Sequence, residues 1–476
     1  MGSHRPQNPD YQELRRHFAE HGQEHVFRFW DRLDAAERAA LLRQAAGIDL
    51  ASVRAAHQEC SRRAGHGIPK LEPLPVECLP GRGGDAGAWA RARKAGEALL
   101  RAGRVALLVV AGGQATRLGY DAPKGVLPIG PVTGRSLFEL QAQKIRRLRD
   151  RYRQPLAWYV MTSPATDAPT RDFFAAGDWF GLPPADVCFF RQGMVPSLDF
   201  QGRLLLAEPG LIFENPNGHG GCLTALFDSG ALDDMERRGA DTLFYYQVDN
   251  PMIRLADPAF LGFHVRSGAE ITCKVVRKRG PEEKVGVLAR ANGRPSVVEY
   301  TEIDDPHRFA RDEAGELRFW AGNTAIHAFA LPFVRRVAAD ADRLLPYHAS
   351  AKKIPCLDAR GRPILPDEPN GHKFERFVFD ALPAAEKVCL VEIDRAAEYS
   401  PVKNAEGIDS PATARRDLVR LYRSWIEEAG LEPPPPGQPI EIDHARIDGP
   451  EDLRALGIER LEQAGDAIRT LPGASE

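Results

Sequence analysis

Strand-length apolar runs alternate with helical stretches through the middle of the chain, and this alternation limits the fold more than any other feature. The runs are VALLVV (105–110), LAWYVMTS (156–163), VCFF (187–190) and TLFYYQV (242–248). Between the first two, Ser136 and Glu139 make the S-x-x-E pattern of a capping box, which opens a helix through Leu148. Strands joined by helices pair in parallel and form an α/β sheet covered on both faces. Ligands of such sheets sit beyond the carboxyl ends of the strands. Gly112, Gly113 and Asp249 each fall just past such an end.

The flanks read differently. Residues 10 to about 60 carry apolar positions at helical spacing, with Asp34 as a cap before AAERAALL. IPKLEPLPVECLPGRGG (68–84) is rich in Pro and Gly and reads as a linker, and a helix over about 85–102 follows. After residue 270 the runs ITCKVV, VGVLAR and SVVEYTEI alternate, with Asn292-Gly293 as a hairpin signal between the last two. They predict an antiparallel elaboration of the main sheet. PPPPGQP (433–439) reads as a stiff linker, and DGPEDLRALGIERLEQAG in the charged tail as helical. The layout is a helical N-terminal region over 1–102, a catalytic domain over 103–385 and a small C-terminal region over 386–476.

Composition removes several classes of function. The 476 residues carry a formal net charge of −3 and a pI near 6.5, so nothing electrostatic favours nucleic acid or a membrane surface. VALLVVA is far too short to span a bilayer. The N-terminal MGSHRPQNPD is polar and lacks a signal-peptide core. Seven scattered cysteines form no C-x-x-C pair, which points to reduced thiols and a cytoplasmic protein.

Four segments could carry chemistry. AGGQATRLGYDAPKG (111–125) fits neither the P-loop nor the dinucleotide fingerprint. Adjacent glycines allow positive φ and close backbone approach, and successive N–H groups can turn toward an anion. Arg117 and Lys124 add positive charge, which suits a triphosphate; the alternative is an ordinary turn with two solvated cations. ENPNGHGGCLTAL (214–226) places Asn217 and His219 among glycines, either to read a base edge or sugar, or as a plain polar turn. In FYYQVDNP, Asp249 ends a buried strand, where a carboxylate is costly unless paired or bound to a metal. One carboxylate plus substrate phosphates is a usual way to hold Mg²⁺, while a helix cap at Asp249 or Asn250 is the alternative. In EYSPVKNAEG (398–407), Lys403 follows the strand VCLVEI, and nothing local distinguishes it from a solvent-facing lysine.

Taken together these segments resemble the eukaryotic-type UDP-sugar pyrophosphorylases, and within them the UDP-N-acetylhexosamine (UDP-N-acetylglucosamine) pyrophosphorylases. The resemblance runs from about residue 11 to about 428. It also includes GQEHVFRFWDRL, SLFELQAQKI, FFRQGMVP, NPNGHGG, YYQVDNPMIRLADPAFLGF, AGNTAIHAF and KKIPCLDARGRPILPDEPNGHKFERFVFD. It implies a Rossmann-like nucleotidyltransferase sheet between smaller terminal parts. It also implies the joining of UTP and a sugar 1-phosphate, by direct attack on the α-phosphorus, to give a UDP-sugar and pyrophosphate. Carried over to this chain, Gly112 and Gly113 approach the nucleotide. Arg117, Lys124 and Lys403 stabilise phosphate charge, Gln192 and the backbone of Gly218 read uracil, and Asp249 holds Mg²⁺. Glu299, Asn323, Phe377 and Phe379 contact the sugar.

Two positions depart from the family pattern. Ala115 stands where Gly is usual. His219 stands where the N-acetylhexosamine members usually have Asn, and G-H-G-G mixes that pattern with the G-H-G-D of the UDP-glucose members. The resemblance therefore implies a uridylyltransferase with N-acetylglucosamine 1-phosphate favoured and a glucose 1-phosphate or broad-range enzyme as the alternative. A UDP-sugar-dependent glycosyltransferase and a non-catalytic nucleotide-sugar binder are the readings from other classes.

Overall fold

The computed structural model describes residues 10–63 and 70–470. The N-terminal stretch 1–9, the first two residues of the proposed linker (68–69) and the side chain of Cys60 lie outside what is described. The chain forms two compact units. The smaller collects Met1–Gly67, Gln192–Thr224 and Asp340–Asp380, and the larger the rest. The chain thus passes between the units several times, whereas the sequence reading laid out three consecutive segments, 1–102, 103–385 and 386–476.

A ten-stranded mixed sheet forms the larger unit. Its strands are β1 (Leu71–Pro73), β2 (Val105–Val110), β3 (Trp158–Thr162), β4 (Val187–Arg191), β5 (Thr242–Gln247), β6 (Ile271–Arg277), β7 (Val287–Ala291), β8 (Arg294–Val298), β9 (Ala321–Ala330) and β10 (Val388–Glu392). Strands β5, β2, β3 and β4 lie side by side and parallel. The β5–β2 register sets Thr242 opposite Val105 and Gln247 opposite Val110, so both strands end at one level. β9 runs antiparallel to β5 and to β6, and β10 is parallel to β6. Leu107, Leu108, Val109, Trp158, Tyr159 and Val160 are wholly buried, as strands covered on both faces must be. The helix Leu137–Tyr152 starts at Ser136 with both capping-box bonds in place and buries Leu137, Phe138, Leu140 and Ile145 in the core.

The antiparallel elaboration is present. β7 and β8 form a hairpin turned by Asn292 (φ 49°) and Gly293 (φ 83°), both left-handed as a two-residue turn demands. The third run is shorter than its pattern predicts: β8 ends at Val298, and Glu299 starts a turn in which its carbonyl accepts from Glu302 and Ile303.

Two expectations are corrected. The stretch read as a linker is stitched to the sheet: β1 pairs antiparallel with β7, and Glu77 exchanges backbone hydrogen bonds with Leu390 and Glu392. Its prolines are tolerated because Pro73 sits on an edge strand. The C-terminal tail is helical only over Pro450–Ala455 and in a 3-10 stretch, Leu461–Ala467. Ile440–Ile442 pairs with Ile468–Thr470, and Ile440, Ile442, Ile447 and Leu453 join the main core. Buried Glu441 accepts hydrogen bonds from the backbone N–H groups of Val132 and Thr133, which fastens the tail to the loop before the 137–152 helix.

The smaller unit holds the helices Tyr11–Glu20, Ala35–Ala46 and Leu50–Arg63. Asp34 caps the second with a complete capping box. Short antiparallel strands complete the unit, among them His348–Lys352 with Gly371–Glu375 and Met194–Pro196 with Glu214–Pro216. Phe18, Val26, Phe27, Leu41, Leu198 and Phe374 form its own core.

One contact in the larger unit tolerates no side chain. The helices Ala86–Arg101 and Pro258–Ser267 approach so closely that a methyl group at Gly96 would lie 1.8 Å from the Pro258 carbonyl oxygen. One at Gly262 would lie 1.7 Å from the Ala92 carbonyl oxygen. Gly262→Ala gains roughly 1 kcal/mol of helix propensity but forces two backbones apart, at about 1–3 kcal/mol or more. A lower denaturant midpoint is expected; an unchanged or higher one would show that the helices separate without loss.

Candidate functional site

The loop after β2 is closed by its own backbone. Ala111 N–H donates to Met161 O on β3, Lys124 N–H to Gly113 O at 3.0 Å, and Ala115 N–H to Ala122 O at 2.9 Å. Gly112 is buried, and Gly113 is exposed with open space where a Cβ would stand. Neither adopts positive φ; that conformation falls to Gly119 (φ 74°). The glycine pair therefore supplies close approach rather than left-handed backbone, because the reversal is made one turn later. Ala115 is buried with φ −92° and ψ 17°, a conformation open to any L-residue, so its methyl group is accommodated without backbone strain. Arg117 lies exposed and makes no ion pair among the described residues.

Lys124 and Asp249 meet across the ends of the parallel strands. Lys124 Nζ lies 3.1 Å from Asp249 Oδ2, and both side chains are largely buried. Val402 N–H donates to Asp249 O at 2.9 Å, which brings Lys403 in from the far side. Burial alone pushes the Asp249 carboxyl up, but the charges of Lys124 and Lys403 and the Lys124 hydrogen bond outweigh it and hold the group below the ordinary range. The Lys403 ammonium is held above its ordinary range, by Tyr399 first, against the cost of burial, with Asp249, Asp409 and Glu299 acting in the same direction as Tyr399. Lys403 is solvent-exposed, as the sequence suggests, yet its ammonium interacts electrostatically with Tyr399, Asp249, Asp409 and Glu299 and so belongs to a charge cluster. Neither Asp249 nor Asn250 caps a helix: the next helix, Pro258–Ser267, is capped by Asp257, while Asn250 Oδ1 accepts from Met252 N–H at 3.3 Å within a turn, leaving Asp249 to the lysines.

Glu299 and Asn323 come together over Gly286. Asn323 N–H donates to Gly286 O at 2.8 Å, and a Cβ at Gly286 would lie 2.9 Å from Glu299 Oε1. Asn323 opens an irregular stretch of β9 in which Ala325 takes φ 55°, with Ala325 N–H donating to Asn323 Oδ1.

The smaller unit carries the other named residues. Gln192 is buried, and its neighbour Gly193 accepts from Asn217 N–H through its carbonyl at 3.1 Å. Gly218 takes φ 82°, and a Cβ there would lie 2.5 Å from Arg376 O. Arg376 N–H donates to Asn217 O and Gly220 N–H to Arg376 O, so NPNGHGG and RFVFD are zipped together. His219 thereby lies against Phe377 (centroids 5.3 Å, interplanar 26°) and Phe379 (5.6 Å). Val378 N–H donates to His219 Nδ1 at 3.2 Å, which leaves the ring proton of the neutral form on Nε2.

Sequence reasoning missed the support behind Lys403. Buried Lys274 on β6 pairs with Glu398 and Asp257. The available signal was a lysine in the middle of the apolar run ITCKVV.

Two lysines and a charged carboxylate thus gather beyond the strand ends, beside a glycine loop, in an α/β fold. The sequence model described as UTP–glucose-1-phosphate uridylyltransferase matches residues 89–410, and the chain belongs to this family. It is 40% identical over 438 residues to the human UDP-N-acetylhexosamine pyrophosphorylase-like protein 1, covering 88% of this chain and 86% of that one. It is 35% identical to the Saccharomyces cerevisiae UDP-N-acetylglucosamine pyrophosphorylase, covering 87% and 90%. The crystal structure of the Trypanosoma brucei uridine diphosphate N-acetylglucosamine pyrophosphorylase superposes with a TM-score of 0.79 at 30% identity, covering 89% of this chain and 87% of that one. Among the described residues no helix is long and apolar enough to cross a membrane.

The electrostatics of Asp249 can be measured directly. A lowered carboxyl pKa stabilises the fold above the ordinary value of 3.8, and that contribution is lost as pH falls through the folded pKa. In Lys124→Met/Lys403→Met burial, the largest influence, is opposed only by one backbone hydrogen bond, so the pKa should rise above 3.8 and stability should fall as pH rises past it. A carboxyl-labelled NMR titration reads both proteins; a variant value still below the ordinary range would show that the lysines do not set it.

Proposed function

We propose that this chain joins UTP and a sugar 1-phosphate to give a UDP-sugar and pyrophosphate, with N-acetylglucosamine 1-phosphate as the favoured sugar phosphate. The arrangement of Lys124, Asp249 and Lys403 carries this reading. An oxygen of the sugar phosphate attacks the α-phosphorus of UTP, and the bond to the bridging oxygen of the β-phosphate breaks as pyrophosphate leaves. No covalent work falls to the protein, so catalysis is positioning and charge neutralisation. Backbone at Gly112 and Gly113 lets phosphate approach, with Arg117 free to swing onto it. Lys124 and Lys403 neutralise charge on the α-phosphate and the leaving pyrophosphate. Gln192 and Gly218 serve the uracil; His219, Glu299, Asn323, Phe377 and Phe379 serve the sugar.

Mg²⁺ fits this donor set. Among the described residues, the Asp249 carboxylate is engaged in an ion pair through Oδ2 alone. No group of three or more His, Cys, Asp or Glu residues gathers to hold a metal among the described residues. One carboxylate together with substrate phosphates is a usual way to hold Mg²⁺. When bound there, Mg²⁺ supplies charge neutralisation on the phosphates. The cytoplasm is the compartment we assign, supported by the free state of the described cysteines.

Incubation with UTP, Mg²⁺ and a panel of sugar 1-phosphates, with pyrophosphate as the readout, tests the reaction. Release of UDP to an acceptor instead would indicate a glycosyltransferase, and binding without turnover a nucleotide-sugar binder. Lys124→Ala and Lys403→Ala should each lower turnover by roughly tenfold or more, about 1.4 kcal/mol of transition-state stabilisation. Asp249→Asn should act as sharply and shift the Mg²⁺ dependence upward; overlaying Mg²⁺ curves would remove Asp249 from the metal site.

The sugar preference rests on the smaller unit. Phe377 and Phe379 stand 5.1 Å apart at 31° and can enclose the methyl of an acetamido group. Losing that contact and leaving one polar group unpaired costs about 2–4 kcal/mol with glucose 1-phosphate. N-acetylglucosamine 1-phosphate should therefore have the higher kcat/KM. The His219 ring is larger than an Asn amide and lies against both phenyl rings, so His219→Asn should widen the preference. A parent that prefers glucose 1-phosphate would overturn the sugar assignment and leave uridylyl transfer standing.

A further inference from the structure

Lys274 is wholly buried on β6, where a charge is costly unless paired with good geometry. Its Nζ lies 2.5 Å from Glu398 Oε2 and 3.2 Å from Asp257 Oδ2, with the Phe260 ring centroid at 5.3 Å. Asp257 also caps the helix Pro258–Ser267 through Ala259 N–H. One end of the cluster is therefore anchored in the core.

The other end leads to the phosphate-handling residues. Glu398 O accepts from Asn250 Nδ2 at 2.8 Å, and Asn250 Oδ1 accepts from Ser400 N–H at 3.1 Å. Ser400 Oγ donates to buried Asp417 at 2.8 Å. Two residues on, Val402 N–H reaches Asp249 O at 2.9 Å, and Lys403 follows. Residues 398–403 are thus laced to residues 249–250 at three successive points. The backbone of Lys274 faces the sugar side as well: its carbonyl accepts from Thr324 Oγ1 at 2.8 Å, next to Asn323.

We propose that the Lys274–Glu398 ion pair is a positioning device for the reaction: it seats residue 398 against Asn250 and so sets the placement of Lys403 beside Asp249. An apolar pair of similar volume would fill the same space at no loss of stability, but it would not fix residue 398 at one hydrogen-bonded position. Lys274 and Glu398 are positioning residues and act through Lys403. The proposal rests on the uridylyl-transfer reading for its kinetic effect.

Glu398→Gln tests it, since it removes the charge and keeps the shape. At a temperature where the variant is fully folded, kcat should fall by roughly tenfold or more; the melting temperature should also drop, since buried Lys274 then keeps only Asp257 as a charged partner. In a Lys403→Ala background the same substitution should cost less than about threefold further, because the group it positions is gone. Full multiplication of the two losses would overturn positioning through Lys403. A second readout needs no turnover: hydrogen exchange in the peptide containing Val402 should accelerate roughly tenfold or more in Glu398→Gln. Unchanged exchange overturns the proposal whatever the kinetics. An inactive parent would sink the uridylyl-transfer reading alone, and exchange would still decide this one. If Glu398→Gln does not fold, Asn250→Ala cuts the same chain of contacts outside the buried ion cluster and takes both measurements.

Discussion

A carboxylate kept charged at the end of a buried strand is the constraint on which the larger unit depends. Burial drives the Asp249 carboxyl toward its neutral form, and two lysines from distant parts of the chain reverse that. For them to do so, three segments must arrive at one point. Lys124 comes from the loop after β2, Asp249 follows β5, and Lys403 follows β10. The parallel register that sets Gln247 opposite Val110 delivers the first two at one level. The third needs the Asn250 and Val402 contacts. The strand order of the sheet thus decides where the charge cluster forms.

The same cluster explains why the reaction asks so little of reactive side chains. Displacement at phosphorus proceeds through charge that must be neutralised as it moves from attacking to leaving oxygen. In the proposed reading, the ammonium groups of Lys124 and Lys403 on either side of the Asp249 carboxylate provide that neutralisation. The cluster's fixed character comes from parts with no chemistry of their own, namely the buried Lys274–Glu398 pair and the backbone bonds that close the 111–125 loop. Close packing of the 86–101 and 258–267 helices, with glycine at the contact, in turn anchors Asp257 beneath Lys274.

Much of this was legible in the sequence. The parallel strands, the Ser136 cap and the Asn292-Gly293 hairpin follow from periodicity and turn chemistry, which are local. The partner of Lys124 was not legible, since it is 125 positions away. Nor was the division into units, because sequence order hides that 192–224 and 340–380 pack with the N-terminal helices. The prolines of 68–84 and the charges of the tail masked an edge strand and a core contribution, because both rest on pairing with remote strands. The glycines at 112 and 113 marked a loop just past a strand end but not its conformation, since composition does not say that Gly119 is the one that turns the chain.

The smaller unit shows how two distant motifs become one surface. NPNGHGG and RFVFD are some 155 residues apart, a separation read from Gly220 and Arg376, which are joined by a backbone hydrogen bond. Gly218 must be glycine on two independent grounds: its φ of 82° and the 2.5 Å that would separate a Cβ from Arg376 O. That closeness is what presses His219 onto Phe377 and Phe379. Because Val378 N–H occupies Nδ1, the neutral His219 can offer only an Nε2–H donor, whereas an Asn amide would offer both a donor and an acceptor. The imidazole also fills more of the space beside the two rings. Replacing this one polar side chain thus changes both the hydrogen-bonding groups beside Phe377 and Phe379 and the room next to them. In the proposed sugar site, selectivity follows from how tightly these two backbones meet, and it can vary without touching the Lys124–Asp249–Lys403 cluster.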